Sequence, residues 1–201
     1  MTDRTRYLTL LPLLLALGCA AEKQTVTEEE DIFAMIPAVD LSDDVVYSPD
    51  GDMRAALPQK WVALDATRFG NPDIFAVACD PGYSMTIVFS KIPLDQELGR
   101  AFSDNGMLGI LKAHYDERVA RLGAAAPLLV SAEEFAIGKR RFASYLFTVD
   151  KGVTYTRVVL FYTKKNMYEC SITQLPYTES DLPSQELMLD IHQIVLGGIE
   201  W

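Results

Sequence analysis

Residues 140–163, RRFASYLFTVDKGVTYTRVVLFYT, decide how this chain is read. Two apolar runs, Arg140 to Val149 and Val153 to Thr163, are rich in β-branched and aromatic side chains. Asp150, Lys151 and Gly152 separate them with turn chemistry, so the pair reads as a hairpin. In the second run Val153, Tyr155, Val159 and Phe161 point one way and Val158, Leu160 and Tyr162 the other. Both faces of such a sheet are apolar, and both must be covered.

Working outward, Leu128 to Ile137 precedes the hairpin and Met167 to Gln174 follows it, which extends it to a four-stranded antiparallel meander. Upstream, Ile74 to Cys79 and Met85 to Ile92 flank Asp80, Pro81 and Gly82 as a second hairpin. Ser48 to Gly51 form a turn before a short strand, Met53 to Leu57. The covers are helical. Leu94 to Leu122, interrupted at Asp104, Asn105 and Gly106, carries Met107, Leu111, Tyr115, Val119 and Leu122 near one face. After Asp181 and Pro183, the residues Leu187, Met188, Ile191, Ile194 and Val195 mark a second apolar stripe. The expected fold is α+β, an antiparallel meander covered by helices on both faces, forming an α/β/α sandwich over residues 45–201.

The N-terminus carries a different message. Arg4 and Arg6 precede an uncharged stretch, Leu8 to Gly18, with seven leucines. Eleven helical residues rise about 16 Å, half of a bilayer core, so the stretch is too short to stay in place as a span. Its end, Leu15, Ala16, Leu17, Gly18 and Cys19, resembles the bacterial lipobox. This implies a signal peptide over 1–18, removed before Cys19, and lipidation of that cysteine. Several acyl chains, at about 0.8 kcal/mol per buried methylene, make such an anchor effectively permanent. Ala20 in place of Asp favours the outer membrane where two membranes exist. Residues 19–44 then comprise the lipidated cysteine, a tether rich in Glu28, Glu29, Glu30 and Asp31, and a short docking segment around Ile32 to Ile36.

Cleavage leaves 16 cationic against 27 anionic side chains, a net charge of −11, which argues against nucleic acid as a partner. The catalytic inventory is thin. His114 and His192 sit in separate helical segments without a second histidine or a cysteine at ligand spacing, and each is expected at the border of a packed face. No Gly-x-Ser-x-Gly elbow or phosphate-binding loop occurs, so no cofactor, metal or catalytic residue is assigned. The acidic residues are read as a solubilising surface.

Two cysteines remain after lipidation, Cys79 and Cys170, each alternating with apolar neighbours. An exported domain permits one disulfide between them, which needs adjacent or facing strands at matching height; two buried free thiols are the alternative. Pairing about the Asp150 to Gly152 turn makes opposed positions sum to about 302. That puts Arg141 near Phe161 and brings Lys139, Arg140 and Arg141 to the sheet end that holds Lys164 and Lys165. Five cations on an acidic protein form a positive patch for lipid headgroups, anionic glycans or an acidic envelope partner.

The element order, a turn with Gly51, a short strand, Pro58 and Trp61, a hairpin, a long helix, a meander and a terminal helix, resembles the PsbP-like fold. That superfamily includes the extrinsic PsbP subunit of photosystem II and DcrB-type bacterial lipoproteins. Gln59 and Lys60 stand where a small residue, usually glycine, lies between that proline and tryptophan. The resemblance implies a non-catalytic scaffold or assembly factor. Two alternatives stand beside it: a carrier of an apolar ligand or lipid, and a hydrolase whose carboxylates gather only in space.

Overall fold

The structure, a computed structural model, describes residues 39–123, 127–149, 152–176 and 182–201. The leader, Cys19, the acidic tether and the docking segment lie outside the described residues. Strand β1 (Leu41–Tyr47) begins four residues before Val45, where the turn punctuation becomes regular.

Alternating apolar residues dictate the main sheet. Its seven strands run β3 (Val62–Leu64), β4 (Ile74–Cys79), β5 (Met85–Ile92), β9 (Met167–Gln174), β8 (Thr154–Tyr162), β7 (Arg140–Val149) and β6 (Leu128–Ile137) in spatial order. The expected meander is present as β6 to β9. Every pair in the sheet is antiparallel. The long-range step is β5 against β9, which joins the two hairpins from Met85↔Gln174 to Ile92↔Met167. A second, three-stranded sheet comprises β1, β2 (Arg54–Pro58) and β10 (Ile199–Glu200).

The β7–β8 register corrects the expected one. Phe142 opposes Phe161 and Val149 opposes Thr154, so paired positions sum to 303 rather than 302. A one-residue shift reverses which side chains share a face, and the hydrophobic demand of both faces fixes it.

Two hydrophobic clusters form from alternate strand positions. Ile87, Phe89, Phe142, Val159, Phe161, Cys170 and Ile172 pack with Met188, Ile191, Val195 and Leu196 of helix α2 (Gln185–Gly197). Ala143, Tyr145, Phe147, Val158, Leu160 and Met167 pack with Leu98, Ile110 and Leu111 of helix α1 (Gln96–Leu122). The stripes differ in detail from the sequence pattern. Ile110 is fully buried, whereas Leu122 and Leu187 are exposed.

Helix α1 starts where Asp95 accepts hydrogen bonds from the backbone N–H groups of Glu97 and Leu98. It breaks at Gly106, whose φ of 62° and ψ of −145° are open essentially only to glycine. The two halves then approach so closely that a Cβ on Gly109 would lie 2.1 Å from the Ala101 carbonyl oxygen. Among the described residues no helix is long and apolar enough to cross a membrane.

Candidate functional site

The five cations predicted for one end of the sheet gather around Trp201. The β6–β7 hairpin turns through Gly138 and Lys139, with Gly138 at a φ of 60° in the first central position of a two-residue turn. It delivers Lys139, Arg140 and Arg141 to a depression of about 610 Å³, also lined by Phe102, Tyr162 and Trp201. The β8–β9 loop delivers Lys164 and Lys165 to a neighbouring depression of about 430 Å³, which shares Trp201.

Trp201 is held by the core and offered to solvent at once. Its ring stacks on Phe161 at 5.2 Å between centroids and meets Phe142 edge-on at 5.7 Å, yet it stays 39% exposed. Arg140 lies over the ring, 5.4 Å from its centroid, and donates from Nη2 to the Gly197 carbonyl at 2.9 Å. That arginine is therefore a strut. Arg141 is 3.7 Å from Glu134 and mostly exposed. Lys139, Lys164 and Lys165 are exposed and make no ion pair among the described residues. Tyr162 and Phe102, 6.1 Å apart, add exposed aromatic surface beside them.

A partly buried acid network shapes the lysine loop. Thr163 accepts from the backbone N–H groups of Lys165 and Asn166, and donates its own hydroxyl proton to Asp52. Asp52 also accepts from Ser48, Asn166 and Tyr168. Partial burial pushes its carboxyl up, but hydrogen bonds from Thr163, Tyr168, Ser48 and Asn166 prevail and hold it well below the usual carboxylate range. The same burial and the Asp52 contact push the Tyr168 phenol up to about 12.

The remaining sequence-selected residues are placed differently. Cys79 pairs with Thr86 and Cys170 with Phe89 on the intervening strand β5. Positions 86 and 89 point to opposite faces, and strands two places apart lie roughly 9.6 Å from one another, beyond disulfide reach. Both thiols are free and buried. His114 and His192 are not at the border of packed faces but inside them, 6% and 0% exposed. His192 Nε2 lies 3.3 Å from Cys170 Sγ, and burial pushes the imidazole pKa well down and the thiol pKa well up, so both stay neutral.

His114 belongs to a polar cluster that the sequence pattern did not reveal. Its Nε2 is 3.1 Å from Glu169 and its Nδ1 is 3.0 Å from the Tyr145 hydroxyl. A neutral ring satisfies both contacts, donating from Nε2 and accepting at Nδ1. Arg118 Nη2 donates to both Glu169 oxygens, at 2.9 and 3.0 Å. Burial pushes Glu169 up, but the hydrogen bond from His114 and the charge of Arg118 outweigh it and lower the carboxyl to about 2. Glu169 is thus a buried anion, in contrast to the surface role expected of the acids. The only sequence hint lies in its alternation with Tyr168 and Cys170, which puts a charge in mid-strand. Among the described residues no group of three or more histidine, cysteine or acidic side chains could hold a metal ion.

No protein-family model and no curated protein matches the sequence. Among solved structures, the solution structure of cyanobacterial PsbP (CyanoP) from Synechocystis sp. PCC 6803 is similar, at 11% identity and a TM-score of 0.52. The match covers 82% of this chain and 94% of that one. A crystal structure from Bacteroides thetaiotaomicron is more distant, at 13% identity and a TM-score of 0.35 over 78% of this chain and 47% of that one. At 11% identity the first likeness speaks for topology alone, and with the element order derived above it shows that the described residues have a PsbP-like fold.

Proposed function

We propose that this chain is a non-catalytic accessory protein, held on a bacterial envelope membrane through acylated Cys19, that docks an acidic partner protein at the basic end of its sheet. One observation carries the reading: Lys139, Arg140, Arg141, Lys164 and Lys165 line two depressions that share a partly exposed tryptophan, on a chain of net charge −10. Aromatic and arginine side chains with little conformational freedom are the usual anchors of protein interfaces, and a local field opposite to the net charge sets orientation and on-rate.

The scaffold is an α/β/α sandwich in this reading, with α1 and α2 on opposite faces of the seven-stranded sheet. Its support is parity: Val158 and Leu160 cluster with α1, while Val159 and Phe161 cluster with α2. The non-catalytic part draws on the chemistry of the buried groups. Both ring nitrogens of His114 are occupied, leaving none to serve a substrate, and the Tyr145 hydroxyl it touches is buried with its pKa pushed up by desolvation.

The test reverses charge at Lys139, Arg141, Lys164 and Lys165 to Glu, keeping the strut Arg140. Crosslinking in intact envelopes should recover an acidic partner with the wild-type chain and lose it with the variant. An unchanged partner set would overturn the docking site. Separately, Cys19→Ser should release the protein from membranes.

A further inference from the structure

The side of the main sheet that carries Glu169 has an open end. Helix α1 packs over β7 and β6, so beside it the strands β5 and β9 floor a cleft of about 490 Å³, in the range of small-molecule sites. The floor is polar. Ser90 opposes Glu169 across the β5–β9 ladder and Val88 opposes Ser171, so Ser90, Ser171 and Thr173 bring hydroxyls to the same face.

One wall is α1. His114, Glu117, Arg118 and Arg121 recur at spacings of three and four and so share a helix face. Arg118 spends a single nitrogen on Glu169. Its Nε–H is buried and has no hydrogen-bond partner among the described residues, so the guanidinium is not fully satisfied. One turn on, Arg121 is only loosely paired, 3.8 Å from Glu117. The other lining segments, Asn71 to Ile74 and Ser90 to Asp95, contribute Asp73. Asn71 receives the backbone N–H of Asp73, while the Asp73 carboxylate accepts no hydrogen bond among the described residues.

The charges decide between ligand classes. Arg118 and Arg121 share the lining with Asp73, Asp95, Glu117 and Glu169, two cations against four carboxylates, while Lys91 is committed to Asp50 at 2.6 Å. A bare anion meets a lining of net negative charge, and a bare cation meets two guanidiniums. A molecule carrying both signs meets complements for each.

We propose that this cleft binds a free α-amino acid, its carboxylate on Arg118 and Arg121, its ammonium on Asp73, and its side chain over Val88 and Ile74. The site is separate from the basic end of the sheet and does not depend on the docking role.

Isothermal titration of the full-length protein, purified in detergent, against the twenty amino acids tests this. Each ligand found is compared with its des-amino acid and its decarboxylated amine. At least one amino acid should bind, and both truncated analogues should bind at least about tenfold more weakly, as the loss of one charge-assisted pair implies. Asp73→Asn should weaken the amino acid without weakening the des-amino acid, and Arg121→Gln should weaken it without weakening the amine. The analogue series reads the wild-type protein, so it stands even where a variant folds poorly. No binding by any amino acid at millimolar concentration, or equal binding by either truncated analogue, would overturn the proposal.

Discussion

His114 on α1 and Glu169 on β9 meet 3.1 Å apart in a site that leaves each side chain about 8% exposed, and Arg118 reaches the same carboxylate from one turn along the helix. A buried carboxylate is tolerated because its charge is matched, and breaking the match costs more than removing the whole group. Arg118→Met alone should therefore destabilise the fold by about 3–5 kcal/mol, since it strands the Glu169 charge. Arg118→Met with Glu169→Leu and His114→Phe should recover most of that loss. Urea unfolding of the three proteins, wild type, single and triple variant, forms the comparison; equal losses in the single and triple variants would contradict it.

Acid should destabilise this domain most steeply through two carboxylates. Glu169, at about 2, and Asp52, held well below the usual carboxylate range by its hydrogen bonds, both bind their proton less readily in the fold than in the free chain. Their contribution is thus complete above the ordinary carboxylate range and is lost as the pH falls from about 4.5 toward 2. For Glu169 this amounts to something on the order of 3 kcal/mol. The urea midpoint should begin to fall below about pH 6.5, where the free chain protonates His192 and the fold does not, and drop more steeply below about 4. Glu169→Gln should lower the plateau and shallow the drop.

Much of the fold follows from local patterns, because period-two alternation and turn residues are local signals. The strands Ile74–Cys79, Met85–Ile92, Leu128–Ile137 and Met167–Gln174 coincide with their sequence patterns. Short pieces did not announce themselves: β3 and β10 have three and two residues, too few for a period, and exist only through their neighbours β4 and β2. The basic end was legible through the hairpin even with the register off by one, since a turn's position survives such a shift while the faces do not. The His114, Arg118, Glu169 and Tyr145 cluster was not, because it joins α1 to β7 and β9 across more than fifty residues in the Arg118–Glu169 pair alone. Asp52 and Thr163, 111 residues apart, teach the same lesson.

The break in α1 sets a further expectation. Gly106 has a backbone conformation that a side chain strains, and Gly109 has no room for a Cβ beside the Ala101 carbonyl. Gly106→Ala should cost about 1–3 kcal/mol through backbone strain. Gly109→Ala should cost as much or more, because the neighbour that must move is backbone. In an unbroken helix both substitutions would stabilise by about 1 kcal/mol, so the sign of the change in thermal midpoint distinguishes the two geometries.

The cysteines give a final expectation that turns on sheet faces. Cys79 and Cys170 flank β5, one opposite Thr86 and the other opposite Phe89, and so point away from each other through the sheet. An oxidising compartment therefore leaves them reduced, since closing a bridge would require moving two strands that β5 holds apart. Burial also pushes the Cys170 thiol up, out of the thiolate range that attack requires. Alkylation of the native protein should leave both unmodified, and alkylation in denaturant should modify both without prior reduction. A mass two hydrogens lower, or protection in denaturant that a reductant removes, would mean that the strands had found another register.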